Sequence, residues 1–256
     1  DVEFGELSEV LFALYRELIK FSVKSRSIAL LSLQSFQYFV TEAPEEIIAN
    51  SPLTELFQLL NSISLNDQIS LNSQIELPPE EIINLDNDML LIILKLLFSF
   101  SYNSFQLSAP FMPIFSKILK IYSNMTKPSD DITIIILQIL RNFAGDNDPT
   151  IFSFLLTQDI FNLLLSTISN RSYKISRQAC FIYSYLSLAL IDQFMTLFAP
   201  NYAQIIIAMI QLFDMSDPEV VNNILKCFSN VLCWLKTNSA GSFKGVINFL
   251  FAQGFD

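Results

Sequence analysis

Apolar residues recur at helical spacing along nearly the whole chain. In the run Ile132-Thr133-Ile134-Ile135-Ile136-Leu137-Gln138-Ile139-Leu140-Arg141-Asn142-Phe143 they cover almost every face, a pattern that a buried strand shares with a buried helix. Length and bracketing favour the helix. Asp130 and Asp131 offer an N-terminal cap, and Gly145 offers the left-handed residue that closes a helix. A clearer start lies at Ser216-Asp217-Pro218-Glu219. There a capping side chain precedes a first-turn proline, with an acid near the positive helix end.

Sliding the chain against itself brings out a repeat. Residues 29–36, 93–100, 136–143, 179–186 and 224–231 align, and the last four segments are spaced by 43, 43 and 45 residues. The first gap is 64 residues, and its excess falls where the sequence turns polar around Pro78-Pro79 and the acids Glu76, Glu80, Glu81, Asp86 and Asp88. A mobile loop insertion is predicted over residues 62–86. Between the aligned segments, helix starts recur at Pro52, Pro110, Asp159 and Asn201. Each repeat therefore holds a short connecting helix and two longer ones. No such unit buries its apolar face alone, so neighbours must stack into a continuous core. The reading is an all-α helical solenoid of about five repeats, forming a single repeat domain over residues 1–256. The helical approach at Asp1, and a helix-like start at Gly254-Phe255-Asp256, lead us to expect a piece of a longer array.

Composition narrows the function classes. The chain is 52% hydrophobic and 16% charged, with five glycines, no histidine and three cysteines. Without histidine, the commonest general base, the serine triad and the HExxH zinc site are absent. So few glycines leave no phosphate cradle. Nothing pairs a nucleophile with a base, so neither an enzyme nor a cofactor is expected. The acidic cluster of the insertion fits no calcium loop. Cys180, Cys227 and Cys233 form no CxxC pair and are expected to be reduced, partly buried thiols. A net charge of −10 disfavours nucleic-acid backbones and suits a basic partner. Residues 193–213 are long and uncharged enough to cross a bilayer, but Pro200-Asn201, Gln204 and Gln211 interrupt them. Buried repeat helices account for them better, and no membrane partner is expected.

Several segments resemble the armadillo repeats of importin-alpha, the nuclear-import adaptor. Ile136-Leu137-Gln138-Ile139-Leu140-Arg141-Asn142-Phe143-Ala144-Gly145-Asp146 looks like that family's third-helix pattern ALWALSNIAGD. Residues 174–185 are similar to its IRKEACWTISNI form, and residues 224–256 resemble its last repeats. The resemblance implies a right-handed armadillo-type superhelix whose third helices bind basic nuclear-localisation peptides in a concave groove. It implies an importin-beta-like carrier as a further partner, and residence in cytoplasm and nucleus. In the family, a tryptophan walls lysine stems and an asparagine four residues later holds the peptide backbone.

Carried over, the tryptophan positions are Leu31, Lys95, Gln138, Phe181 and Lys226, and the asparagine positions are Ser35, Ser99, Asn142, Tyr185 and Asn230. Asn142 and Asn230 match, Phe181 keeps an aromatic ring, and Asp146 stands where the family has a lysine-holding acid. Lys95 and Lys226 would repel a basic peptide. The implied peptide-binding set is thus Gln138, Asn142, Asp146, Phe181, Tyr185, Lys226 and Asn230. Asn142 and Asn230 equally suit a wet helix face, Phe181 a core position, and Asp146 a helix end. Trp234 is expected to pack against the following repeat. Two functions remain open: the nuclear-import adaptor, and a generic armadillo or HEAT scaffold whose groove has drifted to another partner.

Overall fold

The computed structural model describes all residues except 1, 23–24, 44–47, 63–86, 104, 126, 147–148, 171, 214–216 and 255–256. The expected insertion therefore lies outside the described residues, apart from Ser62 at the end of a helix. Among the described residues the regular structure is entirely helical. In chain order the helices are α1 (Val2–Ser22), α2 (Arg26–Glu42), α3 (Leu53–Ser62), α4 (Asn87–Asn103), α5 (Phe105–Ser108) and α6 (Met112–Ser123). They continue as α7 (Asp130–Gly145), α8 (Pro149–Leu155), α9 (Gln158–Ile168) and α10 (Tyr173–Ala189). The last are α11 (Ile191–Phe198), α12 (Tyr202–Phe213), α13 (Pro218–Asn238) and α14 (Ala240–Ala252). All five aligned segments lie inside long helices, namely α2, α4, α7, α10 and α13. The shorter helices fall between them, so the three-helix repeat is present: α8, α9 and α10 form one unit, and α11, α12 and α13 the next.

The chain divides into two compact units, Asp1–Ile135 and Ile136–Asp256, with the division inside α7. In the first unit α2 packs against both α1 and α4. Rings line this core: Tyr15 meets Phe36 edge-on at 5.0 Å, and Phe100 stacks on Phe111 at 4.9 Å. Phe36, Phe100 and Phe111 are fully buried, each worth about 1.5–3 kcal/mol of apolar burial. Polar threads cross the same interface: Tyr15 donates to the Ser35 carbonyl, and Asn103 Nδ2 donates to the Val40 carbonyl.

In the second unit α10 packs against α9 and α13. Ile175, Ala179, Cys180, Phe181, Ile182, Tyr183 and Leu186 are all buried. A helix flanked by neighbours on several sides is buried on most of its faces, and α10 accordingly buries Ser176, Gln178, Ser184 and Ser187 beside these apolar residues. Tyr183 sits edge-on to Phe161 at 5.7 Å and to Phe194 at 6.2 Å.

The helix ends correct two readings. Asp217 caps α13 as expected, accepting from the backbone N–H groups of Glu219 and Val220 at 3.0 and 3.3 Å. At α7, however, Ser129 is the cap: its Oγ accepts from Ile132 N–H, and Asp130 and Asp131 lie in the first turn. There they still complement the positive helix end. Gly145 is the last residue of α7. Among the described residues the left-handed glycine is Gly254, at φ 87°, just past the end of α14, and the helix start expected at Gly254-Phe255-Asp256 runs into residues outside those described. The apolar stretch Ile191–Phe213 is long enough to cross a membrane by length and composition. A tight turn over Ala199–Asn201 divides it, and Phe194, Phe198, Ile205, Ile206 and Met209 are buried within the chain.

Candidate functional site

Equivalent positions of stacked third helices should form ladders of side chains. On α7, Gln138 and Asn142 are half-buried and Asp146 is exposed just past the helix end. On α10, Tyr185 is half-buried while Phe181 is 0% exposed. On α13, Lys226 is exposed, and half-buried Asn230 donates from Nδ2 to Ser187 Oγ of α10 at 3.2 Å. In residues 1–135 the same register leaves Leu31 and Lys95 exposed, and buries Ser99 in a hydroxyl pair with Thr41. Tyr38 and Tyr102, nine residues after the starts of their aligned segments, are 70% and 75% exposed.

Phe181 is covered by cations of the chain itself. The Arg141 guanidinium lies 4.0 Å from its ring centroid and that of Arg177 lies 4.6 Å away. Both are anchored by acids at the start of α13. Arg177 Nε donates to Asp217 Oδ2 at 2.9 Å, and its Nη2 donates to Glu219 Oε2 at 2.5 Å. Arg141 Nη2 donates to Glu219 Oε1 at 3.2 Å. The Tyr173 hydroxyl donates to Asp217 Oδ2 at 2.7 Å.

Those bonds, Tyr173 first and Arg177 next, hold the Asp217 carboxyl down at about 2. Desolvation pulls the Arg177 guanidinium downward, but its bond and charge pairing with Asp217 and Glu219 outweigh that, and the net shift is upward. Burial, reinforced by the Asp217 bond, raises the Tyr173 phenol. The result is a neutral, mutually satisfied cluster spanning α7, α10 and α13, closed over the ring that the family pattern would offer to a lysine stem.

Arg141, Arg177, Asp217 and Glu219 were missing from the expected set. A signal existed for Arg177, which precedes Phe181 by four residues and so shares its helix face. Arg141 stands beside Asn142 in the quoted pattern. The acids could not be found this way, because no sequence spacing links Asp217 and Glu219 to Arg177, 40 and 42 residues earlier.

Trp234 lies four residues beyond Asn230. Its Nε1–H donates to Asp192 Oδ1 on α11, the first helix of the same repeat.

The architecture has close counterparts. One is among computationally designed armadillo repeat proteins for modular peptide recognition, with TM-score 0.65, 10% identity, and coverage of 85% of this chain and 82% of that one. The fold is an all-α armadillo-type helical solenoid. A designed armadillo repeat protein in complex with the peptide (KR)4 matches with TM-score 0.61 at 10% identity, covering 94% of this chain and 99% of that one. An engineered protein matches with TM-score 0.57 at 9% identity, covering 85% and 98%. No protein-family profile matches the sequence, and no curated protein matches it. At such identities the likeness is one of fold. The armadillo repeat is set by helix length, register and apolar stripes, all of which survive when nearly every residue has changed.

Proposed function

We propose that this chain is an interaction scaffold that takes an extended segment of a partner protein along the exposed face of its third helices, with a groove diverged from that of the import adaptors. The observation behind this reading is the cover over Phe181. A lysine stem cannot stack on a ring already faced by Arg141 and Arg177. Displacing them would strand Asp217 and Glu219 without their cations, and unpaired charge is costly. The net charge of −10 still favours a partner with basic residues, engaged elsewhere on the surface.

The second reading is the nuclear-import adaptor, binding basic nuclear-localisation peptides and moving between cytoplasm and nucleus. Asn142 and Asn230 favour it, since both keep the family's type at the backbone-holding position. One armadillo neighbour is a designed protein complexed with a (KR)4 peptide. Fluorescence anisotropy with labelled basic, acidic and neutral peptides separates the readings. If the adaptor reading holds, Asn142→Ala weakens a (KR)4 peptide by about 1–3 kcal/mol, and Lys226→Trp tightens it by removing repulsion and adding a ring. If the diverged groove holds, saturable binding persists and neither substitution moves it. No saturable binding by any of the three peptides defeats the scaffold reading itself.

A further inference from the structure

Away from the third-helix positions, a cavity of about 440 Å³ opens between α11, the end of α13 and α14. Phe198, Tyr202, Trp234, Leu235 and Val246 contribute apolar wall, and Asp192 is the only charged residue in the lining. Phe198, Leu235 and Val246 are themselves buried, so these walls are preformed. The indole N–H of Trp234 donates to Asp192 Oδ1 and fixes the carboxylate beside the ring. Among the described residues no lysine or arginine pairs with Asp192, in contrast to Asp217 and Glu219, which are both held by arginines. Of the lining hydroxyls, Ser239 donates to Ser242 and Thr196 to the Gln193 carbonyl.

An apolar, aromatic-walled cavity with one carboxylate lacking a counter-ion suits a cation on a hydrocarbon stem. Ring faces attract such a cation, and methylenes pack on the aliphatic wall. The choice between lysine and arginine follows from the carboxylate. A guanidinium reads both oxygens of a carboxylate in a planar fork, but here one oxygen already takes the indole N–H. A compact ammonium needs only the other. We propose that this cavity binds the side chain of a lysine presented by a partner segment, with its ammonium on Asp192 and its stem against Trp234. The proposal rests on the scaffold reading only for delivery of the lysine; the cavity chemistry stands apart from the third-helix groove.

Trp234 is the only tryptophan of the chain, so its emission reports this cavity alone. The experiment titrates the whole protein with n-butylammonium chloride, the lysine side chain without its backbone, against butanol and butanoate at constant ionic strength. A saturating emission change is expected with the ammonium, at a concentration at least tenfold lower than with butanol, and none with butanoate. Asp192→Asn keeps an acceptor for the indole and should raise the ammonium midpoint at least tenfold. Equal responses to butanol and butylammonium, or an unchanged midpoint in Asp192→Asn, overturn the proposal. A shift that depends on protein concentration without ligand assigns the cavity to a second copy and also overturns it. A (KR)4 peptide that binds by anisotropy while leaving Trp234 emission unmoved defeats the cavity and spares the scaffold; butylammonium binding without peptide binding does the reverse.

Discussion

Phe181 and Trp234 stand on neighbouring third helices of one compact unit, each close to carboxylates, and the chain treats them in opposite ways. Phe181 is fully buried and faced by two guanidinium groups, which two acids neutralise in turn. Trp234 is half-buried, borders an open cavity, and holds a carboxylate that no lysine or arginine among the described residues answers. An aromatic ring beside an acid is therefore not by itself a site for a basic ligand. What decides is whether the protein has already supplied the cation.

The largest effect that tests this contrast is on stability. Phe181→Ala should cost about 3–5 kcal/mol, since it empties a closed part of the core and removes the surface under both guanidinium groups. Urea denaturation followed by Trp234 emission reads it. A loss below about 1 kcal/mol would mean that the ring is dispensable to the cluster and free for a ligand. Arg177→Ala should cost less, about 1–2 kcal/mol, because the charge-assisted bonds and the ring contact are partly solvated. Its further use is to uncover Phe181: if a (KR)4 peptide binds the variant more tightly than the parent, the arginine was occupying a lysine position.

Acid titration sharpens the comparison next. The Asp217 carboxyl titrates at about 2 in the folded chain, below the unfolded value of about 3.9. Its contribution is therefore complete above about pH 4 and is lost as pH falls through about 2. Thermal melts across that window should show a falling limb that Asp217→Asn flattens. The smallest effect concerns thiols. Burial pushes the Cys227 thiol up to about 12 and raises Cys180 as well, whereas Cys233, next to Trp234, is exposed. A thiol reagent at neutral pH should label Cys233 alone in the native protein, and all three cysteines in urea. Native labelling of Cys180 or Cys227 would show that the Phe181 side of the unit opens more readily than its packing implies.

The repeat was legible because its information is local. Apolar spacing, helix starts at Pro52, Pro110, Asp159 and Asn201, and the Asp217-Pro218 cap each act within a few residues, and the 43-residue period places them. Ser129 was passed over for its acidic neighbours because serine and aspartate compete on nearly equal terms for an N-cap. The site was less legible because its chemistry is made between helices. Arg177 meets Asp217 over 40 residues, Arg141 meets Glu219 over 78, and Trp234 meets Asp192 over 42. Family register could point to Phe181, but it could not show which cation would lie on it.

Asp217 carries one consequence further. With one oxygen it terminates the N-terminal turn of α13, and with the other it receives Tyr173 and Arg177 from α10. The cap that helps start one helix is thus held in place by side chains of the helix before it. Nucleating α13 becomes easier once α10 has formed, and fraying at the start of α13 releases a contact that also steadies α10. In a linear array, where each repeat touches only its neighbours, such a shared residue raises the coupling between adjacent repeats relative to their intrinsic stabilities. The last two three-helix repeats of the chain should accordingly melt as a single cooperative block.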